Sequence, residues 1–133
     1  MAQHNELGRR GEELATAFLL SKGYSIIDRN WRSGHKEIDI VAQDGNDIVF
    51  VEIKTRTDET FNNAVNAVDE RKRQFLLYAA DAYMRSHDFN LSPRFDIITV
   101  VGHLADPNAP LTIDHIEDAY MAPVVRSRKR RTL

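Results

Sequence analysis

The sequence predicts an α/β sandwich with a mixed central sheet. Runs rich in β-branched residues recur at 37–42, 47–54 and 94–101. Segments with apolar residues at helical spacing lie before the first of these runs and between the second and third. An Asp44-Gly45 pair between the first two runs signals a tight hairpin, so two strands are antiparallel neighbours, while the later strand must return across a helix.

The elements follow in chain order. Residues 8–22 read as a helix, because Leu14, Ala15, Phe18 and Leu19 recur at helical spacing and Gly23 stands at the stop position. Residues 24–30 read as a first strand, 37–42 as a second and 47–54 as a third. Residues 48–53 of the third are apolar on both faces except at Glu52, the mark of a central strand covered on both sides. A polar loop is expected over 55–63. A long helix is expected over 64–86, with Val65, Val68, Phe75, Leu76, Ala79, Ala82 and Tyr83 as its apolar stripe. Residues 94–101 form the next strand after Pro93. The segment 111–116 has the pattern of a further edge strand. The order is thus αβββαβ, with a fifth strand left open.

Length and composition suit one soluble domain. The chain has 133 residues, 42% of them hydrophobic and 29% charged, and is long enough to bury a core. We assign 1–122 to the domain and 123–133 to a basic tail. It contains no cysteine, which excludes disulfides, thiolate zinc sites and a cysteine nucleophile. No apolar run has the length of a membrane span, and the first residues carry no signal-peptide core, so a cytoplasmic location is expected. The net charge of −2 conceals an asymmetry. Five of the 18 basic residues lie between Arg126 and Arg131, which leaves 13 basic against 20 acidic residues in the body, or −7. Such a tail either touches phosphates or serves as a solvated end.

The chemistry concentrates on the second and third strands. Strict alternation puts Glu37, Asp39 and Val41 on one face, and Ile48, Phe50, Glu52 and Lys54 on one face of the neighbouring strand. The hairpin then sets Asp39 near Glu52. Two carboxylates set into apolar strands repel unless a positive charge joins them. A hard divalent cation is one such charge, and an ion pair with Lys54 or Arg56 is the other. Lys54 is placed to orient a water or to offset charge on a phosphate. Glu12 shares the helical stripe of Gly8, Ala15 and Leu19, and the two glycines Gly8 and Gly11 permit a close backbone approach. Lys72 lies on the stripe of the long helix, where it either snorkels or reaches the site. The five histidines show no ligand spacing, and Trp31 reads as a packing residue.

The segments Leu7-Gly8-Arg9-Arg10-Gly11-Glu12, Arg29-Asn30-Trp31, Glu37-Ile38-Asp39-Ile40 and Val49-Phe50-Val51-Glu52-Ile53-Lys54-Thr55-Arg56 resemble the YraN-like family of small bacterial proteins. Ala67-Val68, Arg71-Lys72 and Arg94-Phe95-Asp96 extend the resemblance over about residues 5–101, most of the chain. Lys36 stands where that family usually has glycine. The resemblance implies a restriction-endonuclease-like, PD-(D/E)xK fold similar to archaeal Holliday-junction resolvases. It further implies a catalytic set of Glu12, Asp39, Glu52 and Lys54, with Asp39, Glu52 and Glu12 as ligands of Mg²⁺ or Mn²⁺. Lys72, Arg56 and Arg9 are the expected substrate-binding cations. The expected activity is metal-dependent hydrolysis of phosphodiester bonds in DNA, branched DNA or Holliday junctions included. Junction-cutting relatives work as dimers, so a homodimer is expected with nucleic acid as partner. The competing readings are a non-catalytic nucleic-acid- or protein-binding module on the same fold, and a purely structural ion-pair network.

Overall fold

The computed structural model describes residues 2–34, 36–57, 70–87, 90–103, 105–106 and 108–119, with the side chains of 2–5 and 70–72 left out. Helix α1 (Ala2–Ser21) is followed by strands β1 (Ser25–Ser33), β2 (Lys36–Asp44) and β3 (Asp47–Thr57). Helix α2 (Glu70–Ser86), β4 (Ser92–Gly102) and β5 (Thr112–Ile116) complete the order. The five strands form one sheet in chain order, β1-β2-β3-β4-β5. All neighbours are antiparallel except β3 and β4, which run parallel because the chain returns across α2. This is the α/β sandwich with a mixed sheet that the sequence predicts, and the fifth strand is present at the edge.

Each local signal has a physical counterpart. Gly23 adopts φ +93°, and Tyr24 N–H bonds the Leu19 carbonyl while Gly23 N–H bonds that of Leu20. That pair of bonds ends α1, in a conformation a Cβ would strain. At the β2–β3 turn, Asp44 faces Asp47 across Gly45 and Asn46, and Gly45 takes φ +61°. Two like charges oppose each other there. Arg94 Nη1 offsets them from β4, at 2.9 Å from Asp44 and 3.3 Å from Asp47.

The helices cover opposite faces of the sheet. On one, Ala15 and Leu19 of α1 pack on Ile40, Ala42, Val49, Val51, Ile98 and Val100. On the other, Leu76, Ala79, Ala80 and Tyr83 of α2 pack on Ile38, Val41, Ile48, Phe50 and Ile97. Trp31 joins this second core edge-on to Tyr83, at 5.0 Å between ring centroids, as the packing assignment expects. The strand β3 is buried from both sides, and each fully buried Val, Ile or Phe contributes about 1.5–3 kcal/mol.

Four sequence expectations change. The strand β3 runs on through Thr57, where a loop is expected from Thr55, because β4 pairs with it as far as Thr57↔Gly102. Phe75 belongs to the predicted apolar stripe yet is 53% exposed. A Cβ on Gly11 would meet the Thr55 side chain, with Oγ1 at 2.6 Å, so this glycine admits a side chain rather than a backbone, and Gly8 faces open space. Strict alternation also fails on β2, as described below. The expected helix start at 64–69 and the basic tail lie outside the described residues. Among those residues, no helix is long and apolar enough to cross a membrane.

Candidate functional site

The site forms where β2 leaves β3. Their pairing runs from Asp44↔Asp47 to Ile40↔Val51 and stops there. Beyond that point β2 continues against β1 alone, to Ser33↔Lys36, while β3 continues against β4. The sheet therefore opens into a seam, and Asp39 is the first β2 residue past the last pair. Its Oδ2 accepts the Ile53 N–H at 2.8 Å, replacing the carbonyl that a regular ladder would supply.

The backbone is irregular at the same level. Ile38 and Val41 both pack on the α2 face although they are three positions apart, so alternation slips once between them. Across the β1–β2 ladder, between Arg29↔Ile40 and Trp31↔Ile38, stands Asn30 with φ +54°. An asparagine tolerates this left-handed conformation better than most residues. The slip turns Asp39 into the plane of the seam instead of fixing it to one face.

Two clefts reach this carboxylate from opposite sides. On the α1 face, a cleft of about 480 Å³ is lined by Gly8, Arg9, Glu12, Asp39, Thr55 and Arg56 among others. On the α2 face, one of about 320 Å³ is lined by Lys36, Glu37, Asp39, Glu52, Phe75 and Leu76 together with Ile53. Asp39 and Ile53 line both. Gly11 makes the first cleft possible, since its missing side chain lets α1 settle on Thr55 and brings Glu12 to the seam.

Among the predicted residues, Glu52 and Lys54 lie together on the α2 side, Lys54 Nζ to Glu52 Oε2 being 3.4 Å, and both are buried. Glu12 lies on the α1 side, 3.6 Å from Arg29 Nη2. Arg9 spans Glu6 and Glu13 along the helix at 2.6 and 2.9 Å. Arg56 Nη1 donates to the Thr55 carbonyl at 2.8 Å. The side chain of Lys72 lies outside the described residues. Glu37 and Lys36, which the sequence reading did not assign, also line the α2-side cleft. Their position beside Asp39 was the available signal.

The electrostatics single out Asp39. Burial pushes its carboxyl up from 3.8 to about 6, and Glu52, Glu37 and Glu12 add to the rise, against the opposing Ile53 N–H bond. A cation at the seam would relieve that penalty. The donors suit a hard ion. Mg²⁺ commonly takes one or two carboxylates and completes its shell with water and substrate phosphate oxygens. Asp39 and Glu52 can supply such a pair. No group of three or more His, Asp or Glu positioned to hold a metal occurs among the described residues. The expected three-carboxylate set of Glu12, Asp39 and Glu52 is thus not gathered: Asp39 and Glu52 share the α2-side cleft, while Glu12 lines the α1-side one.

A second polar cluster lies at the other end of the sheet. Asp96 is fully buried and accepts from Arg94 Nε and Nη2 at 3.0 and 2.9 Å, from the Asp118 N–H at 3.1 Å and from His115 Nε2 at 2.7 Å. Burial works against the charged form, but these bonds hold the Asp96 carboxyl below its ordinary value. His115 Nδ1 faces Lys22 Nζ at 2.8 Å, and since the ammonium can only donate, Nδ1 is the acceptor there. The cluster ties β4 and β5 to the end of α1. The sequence offered one signal for it, an aspartate between Phe95 and Ile97.

A sandwich whose central strand carries Glu52 and Lys54 beside an opened neighbour bearing Asp39 is a restriction-endonuclease-like protein in its fold. The comparisons name the family. Residues 11–100 match the model of uncharacterised protein family UPF0102, and the chain belongs to that family, the YraN-like one its motifs resemble. It is 47% identical over 124 residues to a UPF0102 protein of Phocaeicola vulgatus, covering 93% of this chain and 99% of the relative. The corresponding protein of Bacteroides thetaiotaomicron is 48% identical with the same coverage. That of Porphyromonas gingivalis is 41% identical over 132 residues, covering 99% of this chain and 95% of the relative.

Proposed function

We propose that this protein is a nuclease that hydrolyses phosphodiester bonds in DNA, with Mg²⁺ or Mn²⁺ held by Asp39 and Glu52. The observation that carries the reading is Asp39 itself. It is a largely buried carboxylate with a raised pKa, ringed by acids, at a seam open from both faces. Such a charge costs stability, and a ligand cation is the simplest compensation. When bound, the ion would supply an activated water and neutralise charge on the scissile phosphate.

The chain's own groups supply the rest. The Ile53 N–H fixes one Asp39 oxygen and leaves the other to face the clefts. Lys54 positions the Glu52 carboxylate and places a buried positive charge beside it, where negative charge on a phosphate would develop. Arg9 and Arg56 line the α1-side cleft and are the cations available there to approaching phosphates. The test is incubation of the pure protein with labelled duplex, flap and four-way-junction DNA in Mg²⁺ or Mn²⁺. Cleavage is expected and should vanish in Glu52→Ala. Cleavage that survives the substitution identifies a contaminant, and intact substrates in every case remove the enzymatic reading.

One observation favours a second reading, a non-catalytic nucleic-acid-binding module. No three-acid metal group is gathered among the described residues, and Lys54 already partners Glu52. A module of this kind binds nucleic acid without metal, and calorimetry with Mn²⁺ would give no heat at the site.

A further inference from the structure

A large exposed apolar side chain is ordinary on a soluble protein, so the exposure of Phe75 means little alone. Its position is what matters. Phe75 is 53% exposed and lines the α2-side cleft together with Asp39, Glu52 and Lys36. Its neighbour Leu76 turns into the core, and Tyr78, three residues on and 55% exposed, extends the aromatic surface along the helix. Lys36, at the start of β2, is a cation on the same cleft wall. A cation beside an exposed aromatic ring is a pairing that single-stranded nucleic acid uses. Phosphates meet the charges, and an unpaired base, having a bare π-face, stacks on the ring. A paired base keeps its faces inside the duplex and must be extruded before it can stack elsewhere.

We propose that Phe75 is the stacking face for an unpaired nucleobase beside the carboxylate seam, so that the substrate is single-stranded or branched nucleic acid instead of continuous duplex. This deepens the nuclease reading and rests on it for the identity of the ligand.

Binding can be tested apart from cleavage, by fluorescence anisotropy in EDTA. The probes are labelled oligothymidine, an abasic strand of equal length, and blunt duplex. The wild-type chain is expected to prefer oligothymidine to duplex. Phe75→Ala should weaken oligothymidine binding roughly ten-fold. Phe75→Leu, which keeps apolar bulk but no ring, should lose nearly as much, and Phe75→Trp should retain binding. All four proteins should hold the abasic strand equally, and unchanged thermal melts would show that they fold alike. The proposal is overturned by a Phe75→Leu chain that binds as wild type does, or by equal losses on the abasic strand. It is also overturned by a wild-type dimer that Phe75→Ala separates without changing strand affinity. Loss of binding in Phe75→Ala with no cleavage by the wild type would defeat the activity and leave the stacking surface standing. Cleavage with unchanged affinity would do the reverse.

Discussion

Replacing Asp39 by asparagine is expected to stabilise the protein at pH 8. In the folded chain its carboxyl titrates near 6, against an ordinary 3.8, chiefly because of burial. The folded state therefore holds the proton more tightly than the unfolded one. The associated stability is full below about pH 3.8 and is lost as the pH rises through 6. Two pKa units correspond to about 3 kcal/mol, and solvent reaching this incompletely buried group through the clefts lowers this to roughly 1–3 kcal/mol. Asparagine matches the shape, keeps an oxygen for the Ile53 N–H and carries no charge. The gain should thus approach that full range at pH 8 and shrink to about 1 kcal/mol or less at pH 4.5. Urea unfolding of both proteins in EDTA, at the two pH values, measures it. A variant less stable than wild type at pH 8, or a gain that does not change with pH, would refute the account of Asp39 as a charge held at a cost.

Further outcomes follow from the same geometry. Mn²⁺ should raise the melting temperature of the wild type and leave Asp39→Asn unmoved, since a ligand stabilises only the state that binds it; equal shifts in thermal melts would place the ion elsewhere. Lys54→Met leaves the buried Glu52 without that cation and should cost about 3–5 kcal/mol in denaturant unfolding, with Glu52→Gln added in the same chain restoring most of the loss. Gly11→Ala should cost about 1–3 kcal/mol because its Cβ would meet Thr55 Oγ1 at 2.6 Å, and Thr55→Ala in the same chain should relieve it. Asp96→Asn should destabilise the protein by about 3–5 kcal/mol at pH 7, by leaving Arg94 short of its buried partner. Because the folded Asp96 pKa lies below the ordinary value, that cost should fade in acid as the wild-type carboxylate protonates, which melts at descending pH would follow.

The sequence by itself determined the elements and their order. Helical and alternating periodicities are local consequences of burial on one face or two, so α1, the β2–β3 hairpin, the buried β3 and the edge strand β5 were all legible. The acids were legible as oddities too, since a charge inside an apolar run is costly wherever the run is buried. Register and the break in alternation were not. Whether β2 stays on β3 or leaves it at Asp39 depends on β1 pairing to Ser33 and on the left-handed turn of Asn30, which the alternation pattern of β2 itself does not encode. Strict alternation therefore assigned Asp39 to a face, whereas tertiary structure put it in a seam. The same holds for Phe75, which helical spacing counted as core, and for Asp96, whose partners come from Arg94 beside it on β4 and from His115 on β5. Sequence decides which residues want to be buried or charged. The fold decides which of them meet, because register and twist are settled between paired strands and not within any one of them.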